Sequence, residues 1–385
     1  MMQEYQRTAA GLAQRYAQIF PVIAICGPRQ SGKTTLARQA FSGAVYFSFE
    51  DIDVRTRFEA DPRKFLDTLD ARVILDEVQH VPELFSYLQG IVAASDQTGR
   101  FILTSSQNFL LNERISQTLA GRVGFITLLP LSISELTEPL TSVARILKGG
   151  YPRLHKYAMK SYEFYPNYIN SYLERDVRQI RNVENLSLFQ TFVKMCAARI
   201  GQLLNLNSLA QDCGVSQATA REWLSVLEAS YVVFVLRPYH SNFNKRLTKM
   251  PKLYFYDTGV AASLLGIRTE EQLELHYLKG ALFENLGVCE ALKYRLNHGM
   301  QPALFFWRDS TGREIDLLDE WAGVTRLIEF KAGFTLNTHD AKHLEYLGKL
   351  IAPSIKIVVY GALQPAAVFG DVRTIGIDEL DAQLS

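Results

Sequence analysis

A chain of 385 residues, 48% hydrophobic and 21% charged, has room for two to four domains that each bury a core, and its formal net charge of +1 supplies no overall field for nucleic acid. Any such partner must then rest on a local patch. The cysteines Cys26, Cys196, Cys213 and Cys289 lack paired spacing, no apolar run reaches membrane-spanning length and the N-terminus has no signal-peptide core, so zinc, disulfides and membrane are not expected and a cytoplasmic setting is.

Residues up to Tyr16 have helical spacing at Tyr5, Leu12 and Tyr16, which assigns them a packing role. Phe20 to Cys26 has the composition of a fully buried strand. It runs into Gly27-Pro28-Arg29-Gln30-Ser31-Gly32-Lys33-Thr34-Thr35, the G-x-x-x-x-G-K-T spacing of a P-loop. A triphosphate needs inward-turned backbone N–H groups at a helix N-terminus, a lysine for its outer phosphates and a hydroxyl for Mg²⁺. The two glycines permit the turn, Lys33 reaches the β- and γ-phosphates, and Thr34 ligates Mg²⁺. ATP and Mg²⁺ are the expected cofactors.

Ala44 to Phe49 reads as a second strand, and Arg72 to Glu77 as a third that ends in two carboxylates, the Walker B pattern. Asp76 is expected to hold Mg²⁺ through water and Glu77 to orient or deprotonate the attacking water. After an amphipathic helix over Val81 to Ala94, the strand beginning at Arg100 ends in Ser105-Ser106-Gln107. Additional-strand P-loop ATPases place a polar sensor there. Ser106 and Gln107 are the candidates, and a simple polar turn is the alternative. Gly124 to Leu129 completes five strands alternating with helices, which predicts a parallel sheet covered on both faces. Arg122, just before that strand, is either an arginine finger for a neighbouring subunit in a homo-oligomer or a surface arginine.

Leu131 to Ile200 turns helical and aromatic, with a break at Gly149-Gly150-Tyr151-Pro152, and reads as a helical lid. Within it Arg175 belongs to a mixed-charge run, a solvated face or a contact to nucleotide or subunit. Ser208 to Trp223 has helix-turn-helix spacing, with a glycine turn and Ser216 as cap. Strands at Val232 to Leu236 and Lys252 to Tyr256 follow, as in a winged helix. Between them Asn242 to Lys252 is the most basic local cluster and is suited to phosphate contact, although winged helices also bind proteins.

In the last segment, Glu284 lies on a helix, Asp316 on a strand after a hairpin, and Glu329 and Lys331 on the next strand, where alternation puts both on one face. This order is that of the PD-(D/E)xK nucleases. Asp316 and Glu329 would hold Mg²⁺, Lys331 would position water or stabilise phosphate charge, and Glu284 would complete the cluster.

Together, GPRQSGKTTL, YFSFED, VILDEVQHVPELF, LAGRVGFITLLPLS, YFYDTG, KGALFEN and GREIDLL…IEFKAG resemble a large prokaryotic group of AAA-type ATPases whose C-terminal half is a domain of unknown function. The resemblance runs from about Arg15 to about Gly361. It implies an α/β protein with an AAA-type P-loop core over 1–136, a helical lid over 137–200, a winged helix over 201–265 and a restriction-endonuclease-like α/β domain over 266–385. Ser105 departs from the group, which commonly has glycine there. The expected activity is Mg²⁺-dependent ATP hydrolysis whose nucleotide state controls a DNA- or RNA-directed module. A regulatory scaffold with a silent nuclease-like domain is the alternative.

Overall fold

The computed structural model describes residues 5–69, 71–95, 97–106, 119–173, 185–239, 249–333, 341–361 and 367–385. They form two compact units, one of Met1–Leu131 with Ala229–Tyr231 and Leu296–Met300, the other of the remainder.

The first unit is built on a five-stranded parallel sheet of β1 (Val22–Cys26), β2 (Val45–Ser48), β3 (Val73–Asp76), β4 (Phe101–Ser105) and β5 (Val123–Thr127), in the order β2-β3-β4-β1-β5. Every residue of β1 is buried, because it pairs with β4 and β5 on its two sides and helices cover both faces, so its apolar run is continuous rather than alternating. On one face α1 (Ala9–Tyr16) and α2 (Lys33–Ala40) bring Leu12, Ala13, Leu36 and Ala37 onto Ile23, Ile25, Ile102 and Ile126. Near α3 (Ile52–Ala60) and α4 (Pro62–Asp67), Phe49, Phe58 and Phe65 pack edge to face. The insertion of β4 between β1 and β3 puts the ends of all three strands side by side. There the P-loop and the acid pair meet.

The second unit holds an eight-stranded mixed sheet in the order β12-β13-β11-β10-β9-β8-β6-β7. Its strands are β6 (Val233–Pro238), β7 (Lys252–Phe255), β8 (Leu304–Arg308), β9 (Glu314–Trp321), β10 (Val324–Lys331), β11 (Ser354–Tyr360), β12 (Ala367–Phe369) and β13 (Val372–Gly376). The expected helix-turn-helix segment forms helices over Leu206–Asp212 and Gln217–Ala229, with Gly214 at φ +68° between them. Ser216 Oγ accepts the Thr219 N–H at 3.0 Å, as a cap should. The two strands after it pair antiparallel, and β6 also pairs with β8, so both belong to the sheet that carries Asp316 and Glu329. Asn285, on the helix Lys279–Asn297, exchanges two hydrogen bonds with the Phe255 backbone, at 2.7 and 2.8 Å. That clamp satisfies the Phe255 backbone on the edge strand and fixes Glu284 beside β7. Asp257, in the same YFYDTG stretch, caps the helix Thr258–Leu264 and accepts from Gly150 N and Tyr165 Oη, each at 2.8 Å, tying down the Gly149–Gly150 turn. Among the described residues no helix is long and apolar enough to cross a membrane.

Candidate functional site

The loop after β1 turns because Gly27 adopts φ +151° and Gly32 φ +96°. A Cβ on Gly27 would stand 2.1 Å from the Leu128 carbonyl oxygen, so only glycine lets the loop pass the end of β5. Gly32 is the N-cap of α2, and Lys33 and Thr34 are its first helical residues. Pro28 and Ser31 are buried, Gln30 and Thr35 are exposed, and Arg29 is half-buried. The loop is braced by Arg7, whose guanidinium donates to Ser31 O at 2.7 Å and Leu129 O at 2.8 Å. A lone arginine near the N-terminus carries no sequence signal for that task.

Thr34 Oγ1 lies 2.9 and 3.1 Å from the two Asp76 carboxylate oxygens. Tyr46 Oη donates to Asp76 Oδ2 at 2.8 Å, and Thr104 Oγ1 donates to Oδ1. Burial and the bond to Asp76 push the Tyr46 phenol up to about 12, so it remains a donor. Thr104 Oγ1 also accepts the Glu77 N–H at 3.1 Å. Glu77 itself sits at φ +54°, the left-handed region that a non-glycine residue rarely occupies. Its carboxylate is held by Gln79 Nε2 and by Ser106 Oγ, the latter at 3.2 Å. Ser106 is thus brought to the acid pair. Gln107 lies outside the described residues, as do Lys245, Arg246 and Arg175. Ser105 stays in the β4 ladder opposite Cys26 and is not among the positive-φ residues, so serine is accommodated there.

Lys33 is buried and donates to Pro28 O at 2.9 Å. Burial pulls its ammonium down, opposed by Glu77 and Asp76. Ser31 Oγ is buried without a partner. Among the described residues, a buried hydroxyl lacking a partner, a glycine turn with no room for a side chain, a helix N-terminus and a lysine bonded to its own loop fit a triphosphate. Thr34 and Asp76 fit its Mg²⁺. Arg122 is exposed in the turn before β5, a place compatible with either of its two readings.

In the second unit, Lys331 Nζ lies 2.8 Å from Glu329 Oε1, so the two share a face of β10. The β9–β10 register runs to Ile328 opposite Leu317, and beyond it Asp316 Oδ2 accepts the Phe330 N–H at 2.9 Å. Glu284 Oε1 accepts from Tyr254 Oη at 2.5 Å and from Lys252 Nζ at 2.8 Å. Burial and then the charge of Asp316 push the Glu284 carboxyl up to about 7 and that of Glu329 up to about 8. The antiparallel register beyond Leu317–Ile328 brings Asp316 to Glu329, and Lys252 Nζ lies between Glu284 and Asp316, so Glu284, Asp316, Glu329 and Lys331 are neighbours.

Lys252 overturns part of the basic-segment reading. It is 2% exposed and paired with Glu284 and Glu314, with Asp316 Oδ1 at 3.9 Å, so it is no phosphate contact on a surface loop. Its β7 position carries the ammonium inward, where buried carboxylates need a cation. Among the described residues no group of three or more His, Cys, Asp or Glu is placed to hold a metal ion. The two carboxylates expected to hold Mg²⁺ face cations here: Lys252 Nζ lies 3.9 Å from Asp316 Oδ1 and Lys331 Nζ 2.8 Å from Glu329 Oε1.

Residues 20–137 match the AAA domain family, residues 141–271 a domain of unknown function (DUF8612) and residues 279–380 another (DUF4143). The chain is 33% identical over 324 residues to the uncharacterized protein Rv2008c of Mycobacterium tuberculosis, spanning 83% of this chain and 72% of that one, with the same figures for the uncharacterized protein Mb2031c of Mycobacterium bovis. Among solved structures, a Walker-type ATPase of Pyrococcus abyssi is similar at 14% identity and TM-score 0.46, over 66% of this chain and 94% of that one. RuvB of Thermotoga maritima is similar at 17% identity and TM-score 0.30, over 60% and 86%. At these scores neither likeness bears on the site.

Proposed function

The chain belongs to one family with the two mycobacterial proteins and carries an AAA-type P-loop ATPase domain, and from that premise we propose that it is a cytoplasmic, Mg²⁺-dependent ATPase whose nucleotide state controls a nucleic-acid-directed C-terminal module. The observation that carries the ATPase reading is the Thr34 hydroxyl set against both oxygens of Asp76, with Tyr46 and Thr104 closing round the carboxylate. Bound there, Mg²⁺ supplies charge neutralisation on the β- and γ-phosphates. Thr34 would ligate the ion directly and Asp76 would hold it through water. Lys33 exchanges the Pro28 carbonyl for the outer phosphates, and Glu77 orients or deprotonates the attacking water. Ser106, with Gln107, senses the γ-phosphate through Glu77, and Arg122 acts across a homo-oligomer interface.

In this reading residues 1–136 are the core, 137–200 the lid, 201–265 a winged helix taking DNA or RNA, and 266–385 a nuclease-like domain. The order of Glu284, Asp316, Glu329 and Lys331 and their proximity support that last assignment. One observation, Lys252 among the acids, favours a second reading in which the domain is catalytically silent and serves protein contact.

ATP turnover by the purified protein, measured with and without DNA and RNA, tests the proposal. Lys33→Ala should abolish hydrolysis, and nucleic acid should stimulate the parent. Replacing Lys245, Arg246 and Lys249 with alanine should weaken nucleic-acid binding and reduce its salt slope by roughly one per lost contact. Hydrolysis surviving in Lys33→Ala refutes the ATPase reading. Indifference to both polynucleotides, with no Mg²⁺-dependent cleavage, refutes the nucleic-acid reading and leaves the second one standing.

A further inference from the structure

The carboxylates of the C-terminal domain resemble a metal site in order but not in charge. Lys252 Nζ touches Glu284 at 2.8 Å, is ion-paired with Glu314 and lies 3.9 Å from Asp316, so three acids from the helix Lys279–Asn297 and from β9 converge on one ammonium. Each has another partner as well: Tyr254 Oη on Glu284, Arg308 at 3.0 Å on Glu314, and Phe330 N–H on Asp316. The site is nevertheless not saturated. Glu329, 7% exposed, keeps Oε2 buried and, among the described residues, without a partner while Oε1 takes Lys331. One unused buried oxygen beside three acids that each already have a cation and a second partner is what remains when a metal-type constellation is closed by a fixed cation.

We propose that Lys252 is the resident cation of this cluster: its ammonium stands where a divalent ion would otherwise draw the carboxylates together, so the native domain takes no Mg²⁺ there, and removing the ammonium opens a divalent-metal site. A lysine suits the task because its compact charge satisfies up to three acceptors, whereas removing a buried cation leaves acids that must find another. Electroneutrality then favours capture of a divalent ion, with Glu329 Oε2 as a waiting ligand. The inference rests on the nuclease-like reading of the domain.

Mn²⁺ binding followed by electron paramagnetic resonance tests it, using full-length, nucleotide-free protein with Asp76→Asn so that the P-loop carboxylate does not compete. With Lys252 present, no stoichiometric Mn²⁺ should bind. Lys252→Gln in the same background should gain one equivalent, and adding Asp316→Asn should remove it. Lys252→Arg, which keeps the charge, should bind none. If Lys252→Gln is too unstable to titrate, Mn²⁺ should raise its unfolding temperature and leave that of the Lys252 protein unchanged; no rise would overturn the proposal. One equivalent bound with Lys252 present and lost with Asp316→Asn overturns it while leaving the nuclease-like reading intact. A folded Lys252→Gln protein that takes no Mn²⁺ overturns the proposal.

Discussion

Thr104→Val tests how the ATPase site is organised, because it removes one oxygen and changes almost nothing else. Thr104 is fully buried on β4, opposite Ile25, and valine has the same shape, so packing should persist. The lost hydroxyl makes two bonds, one donated to Asp76 and one accepted from the Glu77 N–H at 3.1 Å. A hydrogen bond to a charged group contributes about 1.5–3 kcal/mol and a neutral one about 0.5–1.5 kcal/mol, so roughly 2–4.5 kcal/mol of local restraint goes. Glu77 is the residue that needs it, since a left-handed conformation outside glycine costs of order 1–3 kcal/mol. Without the Thr104 acceptor, the carboxylate proposed to handle water should drift. We expect kcat to fall roughly ten- to a hundred-fold, equivalent to about 1.4–2.7 kcal/mol on the barrier. Nucleotide affinity, measured with a fluorescent ATP analogue in the absence of Mg²⁺, should hold because the P-loop contacts are untouched. Parental kcat in a folded Thr104→Val protein would refute the reasoning.

Glu77→Gln should bind Mg²⁺–ATP but fail in water activation, so filter binding should show a trapped loaded state; hydrolysis at the parental rate removes Glu77 from that role. Tyr46→Phe deletes the 2.8 Å bond to Asp76 but keeps the ring under Arg38, and should raise the Mg²⁺ concentration for half-maximal turnover roughly two- to ten-fold, read from a Mg²⁺ titration of ATPase rate. In the C-terminal cluster Glu284 at about 7 and Glu329 at about 8 stand above the ordinary value of 4.5, raised by burial and by Asp316 and offset in part by Lys252 and Lys331 respectively. Both hold protons more tightly folded than unfolded, so their contribution to stability is complete below about 4.5 and is lost as pH rises through about 7 to 8. Urea midpoints should accordingly fall between about pH 5.5 and 8.5, and Glu329→Gln should flatten that slope.

The sequence by itself determined the ATPase unit's strands and the P-loop and Walker B positions, because these depend on neighbours in the chain. A glycine turn needs its glycines at fixed offsets, and a strand buried on both faces needs an unbroken apolar run such as Val22–Cys26. Alternation likewise put Glu329 and Lys331 on one face before any sheet existed. What surrounds those groups was decided by tertiary structure alone. Arg7 reaches the carbonyl of Leu129 across 122 residues, and Tyr46 and Thr104 meet Asp76 from 30 and 28 residues away; no local pattern encodes such meetings. Lys252 shows the same limit most sharply. In the chain it ends a basic run and reads as a phosphate contact, but the pairing of β6 with both β7 and β8 carries it into one sheet with Glu314 and Asp316. A buried ammonium among acids is held by charge, and which charges it meets is set by strand order, which emerges only when the sheet closes.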